Sequence, residues 1–263
     1  MCWLGWPASS AMHHHHGADG QTGTSCRVFA GPNGGEIGLS SMTESHDGSE
    51  IHDLGRVALL MIDYQVGLCI RGPACVAPAL ADQVEARGVL RAAAGVLGAA
   101  RHAGVLVVHV RLAFDSGYVL RTNRTPRFDR YRAERLLQYS DGGAQLIPEL
   151  LPDGEPVITK GCINPFIGTP LLPALTGRGI ETVVLGGVAT NLAVESAARH
   201  AADCGLLPVV VEDMCASMRP DLHDFAVEHT LPMFASVVSS HSISSTFAVA
   251  RDSSLTSMRL GRA

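Results

Sequence analysis

Residues 183–198 read VVLGGVATNLAVESAA, and this stretch decides the fold. An apolar run with strand character leads through two glycines into a turn, and the residues from Leu192 onward have the apolar spacing of a helix. A strand that passes through a tight turn directly into a helix is the repeating unit of parallel α/β sheets. Thr190 or Asn191 is suited to cap this helix. Its first-turn N–H groups would then face a site as a cradle for an anion or an oxyanion.

The same alternation continues on both sides of this stretch. Short apolar runs rich in β-branched residues predict strands over Val57–Ile62, Val105–Val110, Val157–Thr159, Thr182–Gly187, Leu207–Val211 and Ala235–Ser239. Helical spacing is clearest over Ala79–Ala103, Pro170–Gly177, Leu192–Cys204 and Leu222–Phe234. Near-continuous apolar strands indicate a sheet that is covered on both faces. We therefore predict a three-layer α/β/α sandwich with a mainly parallel, doubly wound sheet of about six strands and a site at its carboxyl edge.

The two ends of the chain differ from this body in composition. Residues 1–50 contain the His13–His16 run, many small polar residues and no sustained apolar period, so we expect a disordered low-complexity tail there. The start lacks the pattern of a secretory signal, and Met42 is a candidate for the true start of the protein. We expect one domain over residues 54–242 and a loose, Ser- and Arg-rich tail over residues 243–263.

Composition excludes several classes of function. With a formal net charge of −5 and a pI near 6.2, the chain lacks the positive field that non-specific nucleic-acid binding requires. It has no apolar run long enough to span a membrane. Its seven cysteines form no CxxC pair, which argues against a disulfide framework and a zinc site and favours a reducing cytoplasm. The glycine pair does not match GxGxxG, which argues against a dinucleotide site. We therefore predict no cofactor and, from the cysteine spacing, no metal.

Two charged residues follow apolar strands. Asp63 comes directly after the first predicted strand, and Lys160, the only lysine among 20 basic residues, closes another. Partial burial at the sheet edge can raise the pKa of a carboxylate for acid–base work, and a lysine at the end of a buried strand needs a charged partner. Because both residues end strands of one parallel sheet, they could pair. The alternatives are that Asp63 only caps a turn and that Lys160 extends to solvent.

Four segments together resemble the isochorismatase-like hydrolase superfamily: VALLMIDYQ (57–65), ITKGCINPFIGTPL (158–171), VVLGGVATNLAVESAARHAAD (183–203) and VVVEDMCAS (209–217). The resemblance runs from about Arg56 to Ser240 and implies a six-stranded, mainly parallel sheet between helices. In the cysteine hydrolases of this superfamily an Asp, a Lys and a Cys form the catalytic triad. The resemblance assigns the first two roles to Asp63 and Lys160, and the position of the nucleophile is Ala193. It also implies a cis peptide at Val188–Ala189.

The residue at this position separates two kinds of reaction in the family, and here it is alanine. Amidases that pass through a thioester need a thiolate, whereas isochorismatases proper resemble this chain in having a small residue there. The resemblance therefore implies a cofactor-independent hydrolase of a small carboxylate-bearing metabolite, in which Asp63 protonates the enol carbon of a vinyl ether and Lys160 orients Asp63. The alternatives are an amidase with a displaced thiol such as Cys162, and a catalytically silent homologue retained for ligand binding or assembly. The family also implies a homo-oligomer, either a dimer or a tetramer.

The remaining candidates are substrate-binding residues. Seven arginines lie between residues 111 and 135. They could form a solvated face or an oligomer contact, or one or two of them could bind a substrate carboxylate through both arms of the guanidinium group. Arg111 is the best candidate for such binding because it follows a predicted strand. Phe166 could line the pocket or belong to the core. The full predicted binding set is Gln65, Arg111, Asn164, Phe166, Val188, Ala189, Thr190, Asn191 and Ala193.

Overall fold

The computed structural model describes residues 56–260, with side chains through Asp252. Its centre is one six-stranded sheet in the order β3-β2-β1-β4-β5-β6, in which every neighbouring pair is parallel. The strands are β1 Val57–Ile62, β2 Leu106–Leu112, β3 Val157–Lys160, β4 Thr182–Val188, β5 Leu207–Ala216 and β6 Ser236–Val238. The predicted α/β sandwich is confirmed. Strand order reverses between β1 and β4, and the carboxyl ends of these two strands mark the switch point where doubly wound folds bind ligands.

Helices cover both faces of the sheet. They are α1 Val66–Cys69, α2 Pro78–Ala86, α3 Val89–Ala103, α4 Pro126–Ala133, α5 Leu171–Thr176, α6 Glu195–Asp203, α7 Pro220–Phe225 and α8 Ser240–Leu260. Side chains of β1 alternate between two hydrophobic clusters, so that Leu59 and Met61 join the cluster of α2, α3 and α8 while Leu60 and Ile62 join that of α5 and α6. The central strand is therefore buried on both faces, which explains its unbroken apolar sequence.

Some predicted helices are divided in the structure. The predicted helix over Ala79–Ala103 is broken at Gly88, whose φ of 68° is left-handed and separates α2 from α3. The predicted helix over Leu192–Cys204 begins as a π-helical turn, Thr190–Val194, which continues into α6. Between α7 and β6 the chain forms a second π turn, Ala226–Thr230, and a 3₁₀ turn, Leu231–Met233.

The predicted loose tail over residues 243–263 is wrong where the structure describes side chains. Residues from Ser240 onward form α8, which packs against α3. Ile243, Phe247 and Ala250 are buried in the core. Their i, i+4, i+7 spacing is an apolar helical stripe that the Ser-rich composition conceals. The predicted tail over residues 1–50, including His13–His16 and Met42, lies outside the described residues.

None of the helices between residues 56 and 260 is long and apolar enough to cross a membrane. Within the same part of the chain, no three His, Cys, Asp or Glu side chains come together in a way that could hold a metal ion.

Candidate active site

A cavity of about 510 Å³ opens at the switch point between β1 and β4. Asp63 lines it from the end of β1, Lys160 from the end of β3, and Val188 and Ala189 from the turn after β4. Helices α2 and α4 and the loop after β5 supply the other walls. The cavity therefore lies where the strand order predicts it.

Asp63 and Lys160 form a buried ion pair in this cavity. Lys160 Nζ lies 2.7 Å from Asp63 Oδ2 and donates a second hydrogen bond to the carbonyl oxygen of Ile163 at 2.5 Å. The exposed fraction of the side chain is 0% for Lys160 and 5% for Asp63. Asp63 has a left-handed φ of 58°, and its N–H donates to the carbonyl oxygen of Val110 in β2 at 2.9 Å. This backbone turns the carboxyl group away from the strand and towards the lysine, so Lys160 does not extend to solvent.

The carboxyl group of Asp63 has the properties of an acid–base group. Burial raises its pKa, because the charged carboxylate loses its hydration, and the charge and hydrogen bond of Lys160 offset only part of that effect. One oxygen, Oδ2, is thus held by Lys160, and the other, Oδ1, is buried without a hydrogen-bond partner among the described residues.

The turn after β4 brings Ala193 to the same cavity. The Val188–Ala189 peptide bond is cis, as the resemblance implies. Gly187 is required just before it, because a Cβ atom there would lie 2.2 Å from the carbonyl oxygen of Ile62. The π turn then places the methyl group of Ala193 in the cavity wall.

Comparison with known proteins agrees with this fold. Residues 57–242 match the model of the isochorismatase domain. The chain belongs to the isochorismatase family. It is 33% identical over 192 residues to the uncharacterized isochorismatase family protein YecD of Escherichia coli O157:H7, covering 68% of this chain and 90% of that protein. It is 31% identical over 173 residues to the maleamate amidohydrolase of Pseudomonas putida, covering 64% of this chain and 75% of the relative.

Solved structures of the family have the same fold. The isochorismatase family protein from Desulfovibrio vulgaris aligns with a TM-score of 0.63 at 26% identity, covering 73% of this chain and 98% of that one. The resemblance read from the sequence is therefore confirmed at the level of the family, and the protein is a hydrolase of the isochorismatase family.

Thiols are absent from the described lining of the Asp63 cavity. Cys162 lines a neighbouring cavity of about 480 Å³, and its Sγ atom lies 3.4 Å from the carbonyl oxygen of Asn164 and 3.8 Å from that of Ile167. Cys69 Sγ contacts the carbonyl oxygen of Asp63 at 3.7 Å, but burial raises the pKa of this thiol to about 12. Cys69 is therefore a protonated core residue at neutral pH rather than a thiolate nucleophile.

Gln65 and Arg111 do not line the Asp63 cavity, contrary to prediction. Gln65 is fully buried, and its amide donates to the carbonyl oxygens of Leu112 and Ala144 and accepts from the N–H of Leu112. These bonds use the polar atoms of Gln65 to fix the backbone around the site. Arg111 lies within β2 and donates to Thr159 Oγ1 on β3 at 3.1 Å, so its guanidinium stays beside the sheet.

The other predicted binding residues lie around the Asp63 cavity without lining it. Phe166 stacks on His200 with 4.9 Å between ring centroids, which is the core role that the sequence left open. Asn164 and Asn191 line the neighbouring cavity. Thr190 is buried behind the turn, with Oγ1 2.8 Å from His223 Nδ1. Of the predicted binding set, only Val188, Ala189 and Ala193 line the Asp63 cavity with Asp63 and Lys160.

The sequence offered carboxylate-binding arginines in the arginine-rich segment as one alternative but favoured Arg111, whereas the arginines that line the cavity belong to α4. Phe128 and Tyr131 are buried, and Arg127 and Arg130 lie beside them on the cavity wall. The signal was present as two aromatic residues spaced i, i+3 within the arginine-rich segment, a spacing that turns one face of a helix inward.

Proposed function

We propose that this hydrolase acts on a small carboxylate-bearing metabolite and cleaves a vinyl ether or a related bond without a cofactor and without a cysteine nucleophile. The observation that carries the proposal is the Asp63 carboxyl group: Lys160 holds Oδ2, while Oδ1 has no partner among the described residues in a cavity whose wall offers the methyl group of Ala193. Asp63 acts as general acid and base, Lys160 is its charge partner, and the turn over Val188–Asn191 shapes the pocket.

The proposed reaction begins with a protonated Asp63. The carboxylic acid gives its proton to the terminal carbon of the enol ether, which leaves an oxocarbenium ion and a carboxylate stabilised by Lys160. Water adds to the oxocarbenium carbon, and its proton returns to Asp63. The resulting hemiketal collapses to a carbonyl compound and an alcohol. The raised pKa of Asp63 supports the first step, because a carboxyl group must keep its proton in order to donate it.

Amide hydrolysis is the second candidate, favoured by the similarity to maleamate amidohydrolase. A thioester mechanism would need a thiolate beside Asp63, and the position of Cys162 in the neighbouring cavity argues against one. We further propose, on the family resemblance, a cytoplasmic homo-oligomer, either a dimer or a tetramer.

The test is a substrate panel of isochorismate, chorismate and small amides. We expect turnover of an enol ether, loss of about 10²–10⁴-fold in kcat in D63N with the fold intact, and no loss after iodoacetamide treatment. D82N is the matched control, because Asp82 is an exposed aspartate paired with Arg71. Strong inhibition by iodoacetamide, with loss of amide hydrolysis on alkylation of Cys162, would favour the amidase. Binding without any turnover would favour a silent homologue.

A further inference from the structure

The hydroxyl group of Tyr131 is an unused donor in the Asp63 cavity. Tyr131 is 5% exposed and lines the cavity from α4. Its hydroxyl has no hydrogen-bond partner among the described residues and stays accessible to solvent. By comparison, the buried Tyr64 hydroxyl donates to the carbonyl oxygen of Met214 and the Tyr118 hydroxyl to that of Leu136. The cavity therefore offers a hydrogen-bond donor that the protein itself does not satisfy.

Arg127 is a cation in the same cavity without a carboxylate partner in the described part of the chain. Its Nη2 atom lies 3.8 Å from Met218 Sδ, in the loop after β5 that forms the opposite wall. The other arginine of α4 on this wall, Arg130, donates to both carboxylate oxygens of Glu134 at 3.1 Å. Of these two cavity-lining arginines, only Arg127 has no carboxylate partner among the described residues.

The charges of the two groups suit an anion. Burial raises the pKa of Tyr131, and the positive charges of Arg127 and Arg130 lower it only in part, so the phenol keeps its proton at neutral pH. A protonated phenol and a guanidinium are both donors, and a carboxylate accepts from both.

The rest of the cavity is apolar. Apart from Asp63, Lys160 and the α4 donors, its wall is made largely of hydrocarbon side chains, including Leu68, Val76, Pro78, Leu80, Leu112 and Phe128. An apolar part of a substrate can pack against this wall without burying an unpaired polar group.

We infer that Tyr131 and Arg127 form a carboxylate subsite, and that the substrate carries an aliphatic or aromatic body beside this carboxylate. The carboxylate accepts from the Tyr131 hydroxyl and the Arg127 guanidinium, and the apolar body lies against the wall of α1 and α2. This inference rests on the proposed function in taking the Asp63 cavity as the substrate site, and it narrows the substrate class.

The test measures binding of inert probes by isothermal titration calorimetry. Benzoate and cyclohexanecarboxylate represent the proposed class, and benzyl alcohol is the uncharged counterpart. We expect the carboxylates to bind the wild type more tightly than benzyl alcohol does, with affinity about tenfold weaker in Y131F and at least tenfold weaker in R127Q. R132Q is the matched control, because Arg132 is exposed on the same helix and outside the cavity lining, and its affinity should equal that of the wild type.

Four outcomes would overturn the subsite: no binding of either carboxylate, equal affinity for benzyl alcohol and benzoate, wild-type affinity in Y131F and R127Q, or losses in R132Q as large as those in R127Q. D63N separates this inference from the proposed function. If D63N loses turnover while Y131F and R127Q bind the probes like the wild type, only the subsite fails. If the probes follow the expected pattern while D63N keeps full turnover, only the proposed function fails.

Discussion

Replacement of the buried histidine behind the turn after β4 should change the acid stability of the protein. His223 in α7 is 2% exposed, with Nδ1 2.8 Å from Thr190 Oγ1 and Nε2 3.7 Å from Glu212. Burial, together with the positive charge of Arg87, lowers its pKa from 6.5 to about 4, and the negative charge of Asp224 partly opposes both effects. Folding therefore keeps this imidazole neutral at a pH where the unfolded chain would bind a proton.

The magnitude follows from the two pKa values. A difference of one in pKa is worth about 1.4 kcal/mol, so the gap between 6.5 and about 4 corresponds to about 3 kcal/mol. Because the folded-state pKa is lower than the unfolded-state value, this stability is fully present above pH 6.5. It is lost as the pH falls from 6.5 to about 4. At pH 5 the loss should already be about 2 kcal/mol.

The assay is urea unfolding of the wild type and H223Q at pH 7.5 and pH 5. Glutamine keeps a polar group near Thr190 but does not titrate, so the wild type should lose about 2 kcal/mol more than H223Q between the two pH values. Subtracting one loss from the other removes the contributions of all other titrating groups that the substitution leaves unchanged. H229Q is the control, because His229 is an exposed histidine nearby in sequence. Equal losses in the wild type and H223Q would refute the reasoning.

Two further predictions test the backbone of the site and the end of the chain. G187A should prevent folding or destabilise it strongly, because the added Cβ would lie 2.2 Å from the carbonyl oxygen of Ile62, whereas G95A, with open space in α3, should stabilise by about 0.5–1 kcal/mol. F247A should cost about 3–5 kcal/mol because Phe247 is fully buried, whereas V249A, 68% exposed on the same helix, should change stability by less than about 0.5 kcal/mol. Urea unfolding measures the free energy of unfolding of all four variants. A small loss of stability in G187A would contradict the close approach of Gly187 to Ile62, and a small loss in F247A would contradict the burial of Phe247.

The central strands and the Asp63–Lys160 pair were open to prediction because each depends on local sequence and one general rule. Buried parallel strands are continuously apolar, and charged residues that follow such strands meet at one sheet edge. The same rule gave a wrong position for Arg111. The apolar run ends at Val110, but β2 continues through Leu112, so Arg111 remains in the sheet instead of reaching past its edge.

Local sequence encodes only part of the contribution of α4. The pairing of Arg130 with Glu134 is a local i, i+4 contact, whereas the position of α4 against the cavity depends on tertiary packing. Gln65 could not be distinguished from a ligand-binding residue, because its partners Leu112 and Ala144 lie 47 and 79 residues away. Such long-range pairings are set by tertiary packing.

The buried position of the chain's single lysine provides a spectroscopic probe of the cavity. Lys160 supplies the only ε-amino group in the sequence, and that group lies inside the cavity against Asp63. A sample grown with isotope-labelled lysine therefore contains one labelled side chain, whose resonance needs no assignment. Any ligand that enters the cavity, and any proton that moves to or from Asp63, would be recorded at that one nitrogen.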